Sequence, residues 1–115
     1  MPRSVPAYLA DILDACDSIA SILDGVDLDT YLRTREKRSA VEREFIIIGE
    51  AVAALRREAP ELVGDISHAR LIVDFRNILT HDYAAIDDET VYELARADLP
   101  ELRRECEILL SRADQ

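Results

Sequence analysis

Apolar residues return every three or four positions along most of the chain, the spacing of one helix face. Leu9, Ile12, Leu13, Cys16, Ile19, Ala20 and Leu23 form the first such stripe. Pro6 suits a first helical turn, Ser4 can cap it and Gly25 can end it. Asp27 or Asp29 can cap a second element, predicted as a short helix over Thr30 to Arg35 that then runs on. The strongest helix covers Ser39 to Glu58. Val41, Phe45, Ile48, Val52 and Leu55 make its face, and Ile46 and Ile47 widen the stripe enough to predict burial on more than one side. Gly49 lies mid-helix, at a cost of ~1 kcal/mol relative to Ala, which predicts close approach of another helix. Pro60 and Gly64 mark a loop. A third helix is predicted from Asp65 or Ser67 to about Thr80. A fourth runs from Asp87 or Asp88 to Arg112, kinked or divided by Pro100. No alternating run bounded by turns reads as a strand. The pattern therefore predicts an all-α fold, an antiparallel four- to five-helix bundle in one domain over residues 1–115.

The third helix carries the candidate chemistry. On a wheel of about 100° per residue, Leu71, Ile72, Phe75, Ile78 and Leu79 share one face, and Arg76, Asn77 and Thr80 share the other. His81 extends the polar face, whereas Asp82 would fall on the apolar one, so the helix should end at about His81. A guanidinium, an amide, a hydroxyl and an imidazole then gather at one helix end, with Tyr83 directly after. An amphipathic helix needs a polar face in any case, so an ordinary solvated surface also satisfies the wheel. The set nonetheless suits RNA cleavage. RNA brings its own nucleophile, the 2′-hydroxyl. Imidazole can move a proton near neutral pH, and Arg offers a fork of donors matched to phosphate oxygens. Such a reaction requires no metal. One Arg and one His make a thin site, which a symmetric dimer would double.

Charge changes where such a substrate could bind. The net charge is −10, which argues against a basic nucleic-acid binder of the usual type. It is uneven. Residues 1–30 carry six acids and one base, and residues 82–115 carry ten acids and four bases, whereas residues 31–81 carry eight acids and nine bases. Only the middle of the chain could meet a phosphate without net repulsion. Cys16 and Cys106 are far apart, and two Cys with two His make no metal-ligand spacing; buried free thiols are expected. No uninterrupted apolar run approaches the ~18–20 residues that span a membrane, and Asp11 and Asp14 interrupt the first apolar stretch, so a soluble cytoplasmic protein without a signal peptide is expected.

Arg76, four residues, His81, one residue and Tyr83 resemble the R-x4-H-x-Y motif of HEPN ribonucleases. Three fixed positions are a weak signal alone. Ile48-Gly49-Glu50-Ala51 resembles the I-G-E-A signature of the preceding helix in HepT-like proteins, and Leu99-Pro100-Glu101-Leu102 resembles the L-P-x-L that follows. Order, spacing and length all fit over nearly the whole chain. The resemblance implies a HEPN-like helical domain that forms a homodimer and cuts RNA, without metal or other cofactor, at a cleft between protomers. It implies a partner, a small nucleotidyltransferase antitoxin of the MntA kind, which silences the toxin by attaching adenylate to the motif tyrosine. By the same resemblance His81 is the acid–base group, Arg76 the phosphate ligand, Asn77 a supporting residue and Tyr83 the modified residue. One departure from the family concerns an aromatic often found near the start of the fourth helix, whose place Tyr92 takes here, a change that affects packing and leaves the catalytic assignment alone.

Glu50 reads either as a partner that orients Arg76 or its dimer mate, or as an ordinary helix glutamate. His68 reads as structural or exposed. Arg33, Arg35, Lys37, Arg38 and Arg43, broken by Glu36, Glu42 and Glu44, read as a solvated face or as an RNA-guiding rim or antitoxin dock. Two other classes compete with a ribonuclease. One is a non-catalytic HEPN partner that binds a nucleotidyltransferase or its nucleotide, which would not need both Arg76 and His81. The other is a plain helical dimerisation module, which leaves the polar helix end unexplained.

Overall fold

Ser4 begins the first helix as its sequence suggests. Its hydroxyl accepts the Ala7 N–H at 3.2 Å, and α1 runs Val5–Ile22. The computed structural model describes residues 3–113, and at Tyr83 the backbone alone. Gly25 turns the chain out of α1 with φ +70°. Asp27 caps α2, Leu28–Arg33, by accepting the Thr30 N–H at 2.8 Å. The predicted run-on is interrupted at Thr34, which is extended. Arg38 reaches back from the next helix to donate to the Leu32 carbonyl at 2.6 Å. Then α3 spans Arg35–Glu58 without a break, about 36 Å at 1.5 Å per residue, which accounts for most of the 44 Å long dimension. A single turn, α4 at Pro60–Val63, fills the predicted loop.

Next, α5 covers Ala69–His81, ending at the residue expected. It starts later than predicted because Glu105 takes both the Ser67 N–H (3.1 Å) and its hydroxyl (2.6 Å) from the far end of the chain. His68, exposed and left-handed at φ 62°, turns the chain into α5. A 3-10 turn at Tyr83–Ala85 leads to α6, Asp88–Ala97, capped by Asp87. Pro100 divides the fourth predicted helix: Asp98 breaks it, and Pro100 falls in the first turn of α7, Leu99–Ala113, where its missing N–H costs nothing. The extra elements are thus subdivisions of the four- to five-helix pattern, and among the described residues there is no strand.

Packing places α3 between α1 and α5, and α1 between α3 and α7. Leu9, Ile12 and Ile19 of α1 meet Val41, Ile48, Val52 and Leu55 of α3 in one core, with Leu102, Cys106 and Leu109 closing it from α7. Ala20, counted in the first stripe, faces out. Phe45 and Phe75 meet edge to face at 5.3 Å across α3 and α5. At the other side, Tyr31 and Tyr92 pack at 5.4 Å, and the buried Tyr92 hydroxyl donates to the Val26 carbonyl at 2.6 Å. Tyr92 is therefore a packing residue that pins α6 to the α1–α2 connection. Among the described residues no helix is long and apolar enough to cross a membrane.

Candidate active site

The site is built on the last turns of α5 where they lie along the middle of α3. Gly49 is buried there. A methyl group in its place would meet the Arg76 Cβ closer than real side chains approach, the Arg76 Cγ at 2.7 Å and the Ile72 carbonyl at 3.4 Å. The close approach that a mid-helix glycine predicts is therefore the stem of Arg76 lying in the notch.

This changes the wheel. Arg76 is near the centre of the face that meets α3, with Ala69, Val73 and Leu79 buried on the same side. Leu71 and Ile78, expected inside, are 62% and 39% exposed. An arginine stem is apolar and packs as such while its head group stays polar. Gly49 leaves room for that stem, so the helix rotates to use it. The Arg76 Nε is buried and has no hydrogen-bond partner, and among the described residues no carboxylate pairs with the guanidinium.

Asn77 and His81 follow Arg76 on the last turns of α5 and are exposed. The Thr80 hydroxyl is turned back along the helix, 3.0 Å from the Arg76 carbonyl and 3.3 Å from that of Asn77. Its proton is used locally, so Thr80 is not a free donor. Asp82 leaves the helix with φ −143° while its N–H still bonds the Ile78 carbonyl at 2.9 Å. The Tyr83 backbone opens the next turn, closed by the Ala85 N–H on the Asp82 carbonyl at 3.0 Å; the Tyr83 side chain lies outside the described structure. Glu50 is exposed and does not pair with Arg76 within the chain.

The structure thus brings Arg76, Asn77 and His81 to one helix end and sets Gly49 beneath the arginine, while Glu50 stands apart. A guanidinium on a packed stem, with no carboxylate partner among the described residues and an exposed imidazole at the same helix end, suits a phosphodiester. No three His, Cys, Asp or Glu side chains gather as a metal-binding group among the described residues. Toward the start of α5, away from His81, exposed Leu71 and half-buried Phe75 border an apolar groove of about 220 Å³ between α5 and α7.

Residues 12–109 match the family described as Ribonuclease HepT-like. Among the relatives is "Putative RNase MJ1380" of Methanocaldococcus jannaschii, 30% identical over 107 residues that cover 93% of this chain and 97% of the relative. "Putative RNase MJ0125" of the same organism is 31% identical, covering 94% and 92%. "Probable ribonuclease HepT" of Thermococcus cleftensis is 28% identical, covering 95% and 98%. No solved structure matches the chain significantly.

Proposed function

The chain belongs to the HepT-like ribonuclease family, and from that premise we propose that it is a metal-independent endoribonuclease, the toxin of a pair whose other member is a small MntA-like nucleotidyltransferase. The observation that carries this reading is Arg76. Its stem is fixed on Gly49, and its buried Nε finds no protein acceptor. The terminal N–H groups of the same guanidinium are the ones that an RNA phosphate can reach. The 2′-oxygen attacks the adjacent phosphorus and the bond to the 5′-oxygen breaks, leaving a 2′,3′-cyclic phosphate and a 5′-hydroxyl. One proton leaves the 2′-hydroxyl and one reaches the 5′-oxygen. His81 moves one of them, and Arg76 offsets the charge that builds on the phosphate. Asn77 supports the site from the same helix end.

A homodimer brings a second Arg76 and His81 to the same cleft, which supplies the group for the other proton. The exposed Leu71 and Ile78 support that arrangement, because they put an apolar stripe on the very helix that carries the site. Silencing follows when the Tyr83 phenol oxygen attacks the α-phosphorus of ATP held by the partner and pyrophosphate leaves. The added phosphate and nucleoside then exclude RNA by charge and volume.

Expression without the partner tests the reading. The wild type is expected to arrest growth and to cut RNA in the presence of a chelator, and His81→Ala to abolish both while the helical fold persists. A wild type that cuts no RNA when made alone overturns it and favours a non-catalytic binding role. Co-expression with the nucleotidyltransferase is expected to add one or more adenylyl masses, which Tyr83→Phe prevents. A label mapped to another residue refutes the Tyr83 assignment.

A further inference from the structure

A second, polar cleft of about 390 Å³ opens where the first turns of α3 face the α5–α6 connection. Arg35, Arg38, Ser39 and Arg43 line it from α3, and Leu79 and Ile86 line it on either side of the His81–Tyr83 segment. It is therefore continuous with the end of α5. The three arginines are not equivalent. Arg38 is engaged, donating to the Leu32 carbonyl at 2.6 Å and lying 3.6 Å from Asp88. Arg35 and Arg43 make no ion pair among the described residues. Arg43 lies eight residues on from Arg35, about 12 Å along the helix. Two carboxylates also line it. Asp88 is answered by Arg38, and Glu42 is pushed above the usual carboxylate range by burial and by Asp88, with Arg38 opposing. What sets Arg35 and Arg43 apart is their place in a groove beside the site, in a chain whose net charge of −10 opposes polyanions.

We propose that this cleft is a second RNA-binding subsite, in which Arg35 and Arg43 hold backbone phosphates flanking the scissile one. The proposal rests on the ribonuclease reading and adds to it the path of the substrate. Phosphate contacts position a nucleic acid without reading its sequence, so the subsite steers RNA of any sequence toward His81.

The test is a salt titration of binding. Dye-labelled single-stranded RNA of mixed sequence is titrated with the full-length His81→Ala protein, which cannot consume it. Each phosphate neutralised contributes about 0.7 to the slope of log affinity against log salt for single strands. Arg35→Ala and Arg43→Ala are each expected to weaken binding several-fold for every sequence and to reduce the slope by about that amount. Arg35→Lys is expected to keep the slope, and Arg104→Ala, at an exposed position of α7 outside the cleft lining, to leave both quantities unchanged. Thermal unfolding of each variant checks that the fold survives. Wild-type affinity and slope in both arginine variants overturn the subsite while the ribonuclease reading stands. Intact RNA binding with lost capture of the nucleotidyltransferase overturns it in favour of a protein dock. A wild type that neither binds nor cuts RNA removes both.

Discussion

A methyl group on Gly49 would have no room, because the atoms it meets are the Cβ and Cγ of Arg76, and a Cβ cannot retreat without its backbone. Gly49→Ala gains ~1 kcal/mol of helix propensity and incurs the 1–3 kcal/mol typical of overpacking, approximately. We expect a small net loss of stability and a much larger loss of RNA cleavage, because α5 must move and Arg76 moves with it. Thermal unfolding and cleavage rates on one sample separate the two effects. Unchanged cleavage would show that the notch does not position the arginine. The glycine was legible in the sequence as a point of helix contact. Its partner was not, because a helix wheel scores arginine as polar although three of its carbons pack like any aliphatic chain. That single rule also hid the exposure of Leu71 and Ile78, which follows once Arg76 takes the inward position. The helix end at His81 matches the expectation but not its reason, since Asp82 would have continued the side of Leu71 and Ile78, which is exposed.

Helix starts were readable wherever a short polar side chain could answer an end N–H, as Ser4, Asp27 and Asp87 do. They were unreadable where a distant residue decides, as Glu105 does for Ser67. The joint between α2 and α6 depends on such a distant pair, Tyr31 and Tyr92, whose hydroxyls differ. That of Tyr92 donates to the Val26 carbonyl at 2.6 Å, whereas that of Tyr31 is buried without a partner. Opposite effects are expected from the same edit. Tyr92→Phe leaves a buried carbonyl unanswered and costs about 1–3 kcal/mol. Tyr31→Phe removes an unanswered hydroxyl and leaves stability unchanged or raised. Denaturant midpoints of the two variants decide it, and equal losses would mean that the Tyr31 hydroxyl has a partner after all.

Across the whole molecule the two thiols report on whether the bundle is closed. Cys16 of α1 and Cys106 of α7 are free and buried, and Arg103 binds Asp17 beside them at 2.7 Å, tying the same two helices. Burial pushes both thiols up to about 12. Neighbouring charge adds to this: Asp17 raises Cys16 against the opposing Arg103, while Cys16 and Glu105 raise Cys106. In the unfolded chain they titrate near the ordinary value of about 8.5. A folded pKa raised above the unfolded one contributes stability that is fully present below the unfolded value and lost as pH rises toward the folded one. From these two groups stability should therefore be flat below about pH 8 and fall above about pH 9, by up to ~1.4 kcal/mol per pH unit for each thiol. Denaturation of the wild type and of a Cys16→Ala, Cys106→Ala double variant at pH 8 and pH 10 isolates their share. The variant starts less stable because it loses two core side chains, but its stability should fall less steeply between the two pH values. Thiol reagents at pH 8 should label the wild type only as fast as it opens. Rapid labelling of both cysteines in native buffer, together with equal pH slopes, would show that α1 and α7 do not seal this side of the core.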